Sequence, residues 1–251
     1  PRAVGGGAVE GPTTSASGIP SVTSSATVNT KGAYTQLLAS SGFDYDGLLV
    51  MFAVVSTNVR YLIDVAIGAA ASEQIIAGDL HASWGNNIPQ WFYIPRSIPA
   101  GTRVAARSQA STASAQVRMS VVGVKGGFFA PQGGGDIVTM GAAAGTSGGT
   151  AIDSGATANT FGAWVQLTGS TTDDIKALCC TSGGNNNTTP TTGQGLLQIG
   201  VGAAAAEVPV LELPFQMGTT ADNYGPLPPF WLPCSIPAGT RVAARFMSTV
   251  T

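Results

Sequence analysis

The stretch SIPAGTRVAAR occupies residues 97–107 and recurs without change at residues 235–245. Within it Ile98-Pro99-Ala100-Gly101 supplies turn chemistry, because proline fixes φ and glycine releases the chain. From Thr102 the residues extend, with Arg103, Ala105 and Arg107 on one face and Val104 and Ala106 on the other. A turn feeding a strand is therefore written twice. Upstream, GAYTQL at 32–37 answers to GAWVQL at 162–167, an offset of 130 residues, and IGAAASE at 67–73 answers to VGAAAAE at 201–207, an offset of 134. The SIPAG block itself is offset by 138. The two steps place insertions of the second copy near residues 185–192 and 218–229, both rich in turn-forming residues. Matched blocks in unchanged order with length changes confined to loops predict two homologous domains.

Strand signals fill both copies. Tyr61, Ile63, Val65 and Ile67 alternate with Arg60, Leu62, Asp64 and Ala66, which predicts a half-buried strand. Residues 48–55 are apolar without alternation, which predicts a central strand covered on both faces. Helical signals are nearly absent, and the Ala-rich run 69–76 reads either as two helical turns or as a loop. The predicted fold class is all-β: two tandem homologous antiparallel β-sandwich domains, jelly-roll-like, behind an extended N-terminal arm. The expected bounds are 1–28 for the arm, 29–125 for the first sandwich, 126–150 for a Gly-rich linker and 151–251 for the second sandwich. After Arg107 the first copy continues through QVRMSVVGV at 116–124, whose alternation is that of a strand; after Arg245 six residues follow. Either the last strand of the second copy lies further along the polypeptide, or that sandwich exposes a sheet edge, an association site by default. Pro1 is not an initiator Met and no basic-then-apolar leader follows it, so the chain is expected to be processed or to lack its beginning.

Charged residues make up only 10 % of the chain and the net charge is −2. An ordinary domain carries about 25 %. That shortage excludes a nucleic-acid binder working through a basic patch, since neutralising phosphates needs clustered Lys and Arg. No apolar run approaches the roughly 18 residues of a membrane-spanning helix. Cys179, Cys180 and Cys234 do not form the even, regularly spaced set of a disulfide scaffold. Neighbours on a strand point to opposite faces, so at most one of Cys179 and Cys180 meets Cys234, and all three read best as small buried thiols.

No CxxC, HxxH, phosphate-binding GxGxxG or Ca²⁺ loop is present, so neither a cofactor nor a metal is expected. The only histidine, His81, reads as part of a Gly/Asn-bounded loop with no carboxylate at a catalytic spacing. Asp44 and Asp46 could mimic a glycosidase pair, but the second copy has Asp174 and Lys176 there, which favours a surface or turn role. The expectation is a protein that is not an enzyme. Four charged positions are shared by both copies: Asp44/Asp174, Glu73/Glu207, Arg103/Arg241 and Arg107/Arg245. They are expected to form structural ion pairs, an Arg of the last shared strand bridging to the Glu or to the Asp of its own domain. The sharper alternative is a shared contact to a neighbouring subunit. Trp84, Trp91 and Tyr93, with Tyr224 and Trp231 in the second copy, precede the SIPAG block as candidate glycan or partner contacts. Such aromatics can stack on sugar rings and can equally fill the end of a sandwich.

The pattern GAYTQLLASSGFDYDGLLVMF, RYLIDVAIGAAASEQII and SIPAGTRVAAR resembles proteins encoded among the structural genes of tailed bacteriophages and prophages, over nearly the whole of each copy. The resemblance carries no site motif. It implies a virion structural protein, assembled in the host cytoplasm, whose partners are copies of itself in a homo-oligomer such as a trimer, other virion proteins and a host-surface glycan. A tail or fibre component is the first expectation and a capsid decoration protein the second. From a different class comes a tandem carbohydrate-binding module.

Overall fold

Short alternating segments separated by Gly, Pro, Ser and Asn give strands in the computed structural model, which describes residues 8–10, 20–54, 59–83, 90–125, 136–181, 193–217 and 231–249. Every described element except the three-residue 3-10 turn Ala144–Thr146 is a strand, and the described chain is all-β. It divides into two compact units, one made of residues 1–139 and 144–148 and the other of 140–143 and 149–251.

In the first unit the strands are β1 (Ala8–Glu10), β2 (Ser21–Thr23), β3 (Thr35–Leu38), β4 (Gly47–Val54), β5 (Arg60–Ile67), β6 (Gln74–Ser83), β7 (Gln90–Ile94), β8 (Val104–Ala110) and β9 (Gln116–Val124). They form two antiparallel sheets. One runs β1-β9-β4-β7, with β2 also on β9; the other runs β3-β8-β5-β6. The first sheet contributes Val22, Leu48, Val50, Phe52, Phe92, Val117, Met119 and Val121 to the core, the second Leu37, Tyr61, Ile63, Val65, Val104 and Ala106. Tyr61 Oη donates to the Gln116 carbonyl at 2.9 Å and ties one sheet to the other. This is the layered arrangement of a β-sandwich.

Two strand readings exchange places. β4 is central, between β9 and β7, and Leu48, Val50 and Phe52 are buried, but Leu49 and Met51 are half-exposed. β5, read as half-buried, is buried on both faces from Tyr61 to Ala66. The reason is local: Lys31 and Arg107 lie over its outer face and bond to Asp64, so a charged residue inside the strand is covered by its own partners.

Two further expectations are corrected, and a reading left open is settled. Residues 20–28 are not a free arm, because β2 pairs with β9 and its Val22 is wholly buried; the alternation Ser21-Val22-Thr23 is a strand pattern three residues long. The described part of the expected linker, 136–150, is docked in places: Ile137 bridges Ala77 in parallel, Thr139 Oγ1 donates to the Gly78 carbonyl and the Gln109 amide donates to the Ala144 carbonyl at 2.8 Å. Residues 126–135 lie outside the described residues. The Ala-rich run turns rather than coils, with Gly68 and Ala71 both at positive φ before β6 begins.

Short strands β10 (Ala142–Ala143) and β11 (Gly148–Gly149) flank the 3-10 turn. The second unit then holds β12 (Val165–Thr168), β13 (Ile175–Leu178), β14 (Gly193–Val201), β15 (Val208–Met217), β16 (Leu232–Ile236) and β17 (Val242–Ser248). One sheet is β12-β17-β14-β15 and the other is the pair β13-β16. Leu178, Ile199, Ile236, Val242 and Ala244 form its core. The order β12-β17-β14-β15 places the strands as β3-β8-β5-β6 does in the first unit. Ile175 pairs with Ile236 as Tyr45 does with Ile98.

Candidate functional site

The shared Asp of each copy caps the SIPAG turn, and the hydrogen bonds of that turn are the same in both units. Ser41 Oγ donates to the Pro99 carbonyl at 2.7 Å and accepts from the Thr102 amide at 3.0 Å. Thr171 Oγ1 does the same with Pro237 at 2.8 Å and Thr240 at 3.1 Å. Asp44 accepts from the Ala100 amide at 2.8 Å and Asp174 from the Ala238 amide at 3.0 Å. These carboxylates cap turn amides, the role that an Asp reaching back to a backbone N–H performs. Among the described residues Asp44 makes no ion pair and Asp174 pairs with exposed Lys176 at 3.1 Å; of the two acceptors expected for the Arg side chains, the Asp is corrected and the Glu is found. The Arg side chains find nearer acceptors on their own sheet.

Arg103 and Arg241 bind the carboxylates assigned to them. Arg103 reaches Glu73 at 2.9 Å, the Gly68 carbonyl at 3.2 Å and Gln36 at 3.2 Å. Arg241 reaches Glu207 at 2.6 Å, the Gly202 carbonyl at 3.3 Å and Gln166 at 3.0 Å. Burial pushes both Glu carboxyls up, but hydrogen bonds from the Arg and from backbone amides outweigh it and hold them below the usual carboxylate range. Each Arg thus clamps the positive-φ turn at Gly68 or Gly202 to the strand that follows the SIPAG block.

Arg107 and Arg245 diverge. Arg107 Nε binds Asp64 Oδ2 at 2.8 Å, Lys31 Nζ binds Asp64 Oδ1 at 2.6 Å and Asp79 at 2.7 Å, and the guanidinium lies 4.7 Å from the Tyr34 ring centroid. Burial pushes the Asp64 carboxyl up, yet the bonds from Lys31, the Asp79 amide and Arg107 hold it below its ordinary range. In the second unit Gln198 stands where Asp64 does and Phe161 where Lys31 does. Arg245 Nε binds Gln198 at 2.7 Å, and its guanidinium lies 4.4 Å from both the Phe161 and the Trp164 centroids. Gln198 in turn donates to Glu212. An ionic network has been exchanged for an aromatic stack at one position of the fold, so the ion pair expected for Arg245 is replaced by cation–π contacts. Asp64, Lys31 and Gln198 were missed because they are not matched as charges between the copies; a charge inside the apolar run RYLIDVAI was the available signal.

The described aromatic candidates differ in exposure. Trp91 is 40 % exposed on β7, whereas Tyr93 is buried, its ring lying where a Gly47 side chain would begin. Trp231 is half-buried, and Trp84 and Tyr224 lie outside the described residues. No group of three or more His, Cys, Asp and Glu that could hold a metal is found among the described residues. The three cysteines are free. Burial raises the Cys179 thiol to about 12 and the Cys180 thiol to about 11, so neither supplies a thiolate at neutral pH.

His81 lies in β6, paired with Leu62 in β5, rather than in a loop. Burial, helped by Arg60, lowers it to about 4, and its Nε2 has no partner among the described residues. A depressed histidine contributes full stability above its unfolded pKa near 6.5, and that contribution is lost as pH falls toward 4. The first unit should lose about 2 kcal/mol between pH 7 and pH 5 from this residue. Urea titrations at the two pH values would show it, with the difference disappearing in His81→Gln.

The described chain is all-β, and the charged groups shared by its two copies brace turns and strands. No family model, curated protein or solved structure matches the chain.

Proposed function

We propose that this protein is a non-enzymatic structural subunit of a tailed-phage virion, a tail or fibre component at the host-facing surface that assembles with copies of itself. The observation that carries assembly is the edge strand β15, where Val208 is 63 % exposed and Val210 41 % exposed. Apolar side chains on a sheet edge cost little to desolvate, and an uncovered edge offers backbone groups as well. Most of the scarce charges that could bind a substrate are instead engaged within their own units, as the Arg103, Arg107 and Arg241 clusters illustrate. The resemblance to phage structural genes supports the setting.

Light scattering on the purified chain should give an oligomer, and Val208→Lys with Val210→Lys should shift it to monomer without changing the far-UV circular dichroism. Antibody labelling of intact particles should place the chain on tail or fibre. Labelling of the head would favour a capsid decoration protein instead. A second reading rests on Trp91, whose exposed ring on β7 could stack on a sugar. A monomer that binds glycans and loses that binding in Trp91→Ala would replace the structural reading with a carbohydrate-binding module.

A further inference from the structure

Strand β15 carries two prolines, Pro209 and Pro214, and the ladder fixes which way their backbones face. β14 lies between β17 and β15. On its β17 side the Gly202 amide donates to the Arg241 carbonyl at 3.2 Å and the Gln194 carbonyl accepts from the Thr249 amide at 2.8 Å, so the even-numbered residues of β14 bond to β17. Successive residues of a strand turn their N–H and C=O groups to opposite edges. The odd-numbered residues therefore bond to β15, in the pairs Gly193–Met217, Gly195–Phe215, Leu197–Leu213, Ile199–Leu211 and Val201–Val208.

The residues of β15 left facing its other edge are Pro209, Glu212, Pro214 and Gln216, with Val210 the extra residue of a bulge opposite Ile199 and Gly200. Every second one of these is a proline, which has no N–H. No two successive outward N–H groups remain. A strand laid along this edge, in any register, would set carbonyls against ring carbons instead of donors and could not complete two successive repeats of a ladder. The bulge adds local twist, a second device that blunts an edge.

The first unit treats the equivalent strand differently. Pro209 and Pro214 pair with Gly200 and Leu196; the matching residues of β5, Ala66 and Leu62, pair with Ile75 and His81 of β6. Neither is a proline, so β6 keeps the N–H groups that β15 lacks. Part of the β6 edge is instead occupied by the unit's own chain, Ile137 bridging Ala77 and Thr139 Oγ1 donating to the Gly78 carbonyl. One edge is covered and the other is disarmed.

From this alternation we infer that β15 is closed to strand addition by any polypeptide. Copies that meet at the exposed Val208 and Val210 do so through side chains, and the sheet stops at each β15 without running on into its neighbour. The meeting of copies rests on the assembly proposed above, whereas the closed edge does not.

The test uses the whole chain. Pro209→Val with Pro214→Val restores both outward N–H groups and leaves the bonds to β14 in place. The parent should hold a constant size by light scattering over days, while the double variant should grow into extended assemblies, with scattering and thioflavin fluorescence rising about tenfold. Adding Glu212→Pro and Gln216→Pro to the double variant moves the prolines to the alternate outward positions and should return the parent's size. These additions separate strand addition from misfolding, because further prolines would not rescue a misfolded chain. A monomeric parent whose double variant grows would overturn the assembly and support the closed edge. Growth of the parent, a double variant that keeps the parent's size, or growth that persists after Glu212→Pro and Gln216→Pro would each overturn the inference.

Discussion

Replacing Asp64 by Asn should destabilise the first unit by about 3 kcal/mol at neutral pH, because breaking a buried ion pair leaves its partners uncompensated. Asp64 is 4 % exposed at its side chain and serves Lys31 and Arg107 at once, and it also accepts the Asp79 amide at 3.0 Å. An amide can still accept one of these bonds, but Lys31 and Arg107 then face each other with no negative charge between them. The pH dependence follows from the lowered carboxyl: the stabilisation is present above the ordinary carboxylate range and is lost as pH falls through the depressed value. Asp64→Asn should therefore be less stable than the parent at pH 7, with the difference shrinking in strong acid. The second unit shows how the loss can be repaired. Arg245 faces the neutral Gln198 and is stacked by Phe161 and Trp164. Changing Lys31→Phe together with Asp64→Gln and Tyr34→Trp should recover much of the stability. Chemical denaturation of the single and triple variants measures both effects, and a triple variant no better than Asp64→Asn would show that the two arrangements are not equivalent.

Gly123→Val should cost the first unit about 3 kcal/mol for a steric reason alone. A Cβ at residue 123 would lie 2.2 Å from the Tyr45 ring, and Tyr45 is 1 % exposed, so the ring has no free space to move into. Overpacking of this kind typically costs 1–3 kcal/mol and more when the obstacle is rigid. Gly123 is not at positive φ, so no backbone term contributes. Tyr45→Ile, the residue found at the counterpart position 175, leaves a cavity on its own, but combined with Gly123→Val it should restore part of the loss. The coupling energy in that cycle should exceed 1 kcal/mol; an additive pair would mean that the ring and residue 123 do not meet.

The sequence carried the strands more clearly than their environments. Residues 97–107 announced a turn and a strand, and Arg103 with Glu73 follow from matched charges in a chain that has few. Burial was less legible: β5 looks two-faced because Asp64 reads as solvent-exposed until Lys31, 33 residues away, is known to cover it. His81 reads as a loop residue because Gly85, Asn86 and Asn87 follow it, yet β6 runs to Ser83. Asp44 and Asp174 were matched correctly as a pair of positions and assigned the wrong acceptor chemistry, since a carboxylate that caps a turn amide leaves no charge pattern to find. The role of 20–28 was hidden by length. A three-residue strand has too little period to rise above a Ser- and Thr-rich background.

Identical strand openings create a refolding hazard. β8 and β17 both begin Val-Ala-Ala-Arg, so during collapse either could pair with β5 or with β14, a characteristic failure of tandem architectures. The residues that come next discriminate between the outcomes. Ser108 is wholly enclosed in the first unit, and the residue that would replace it on exchange is Phe246. A phenylalanine cannot enter a space shaped for serine without displacing the opposite sheet. One small buried hydroxyl thus acts as a proofreader of strand exchange, rejecting the wrong copy by volume where the preceding sequence cannot tell the two apart.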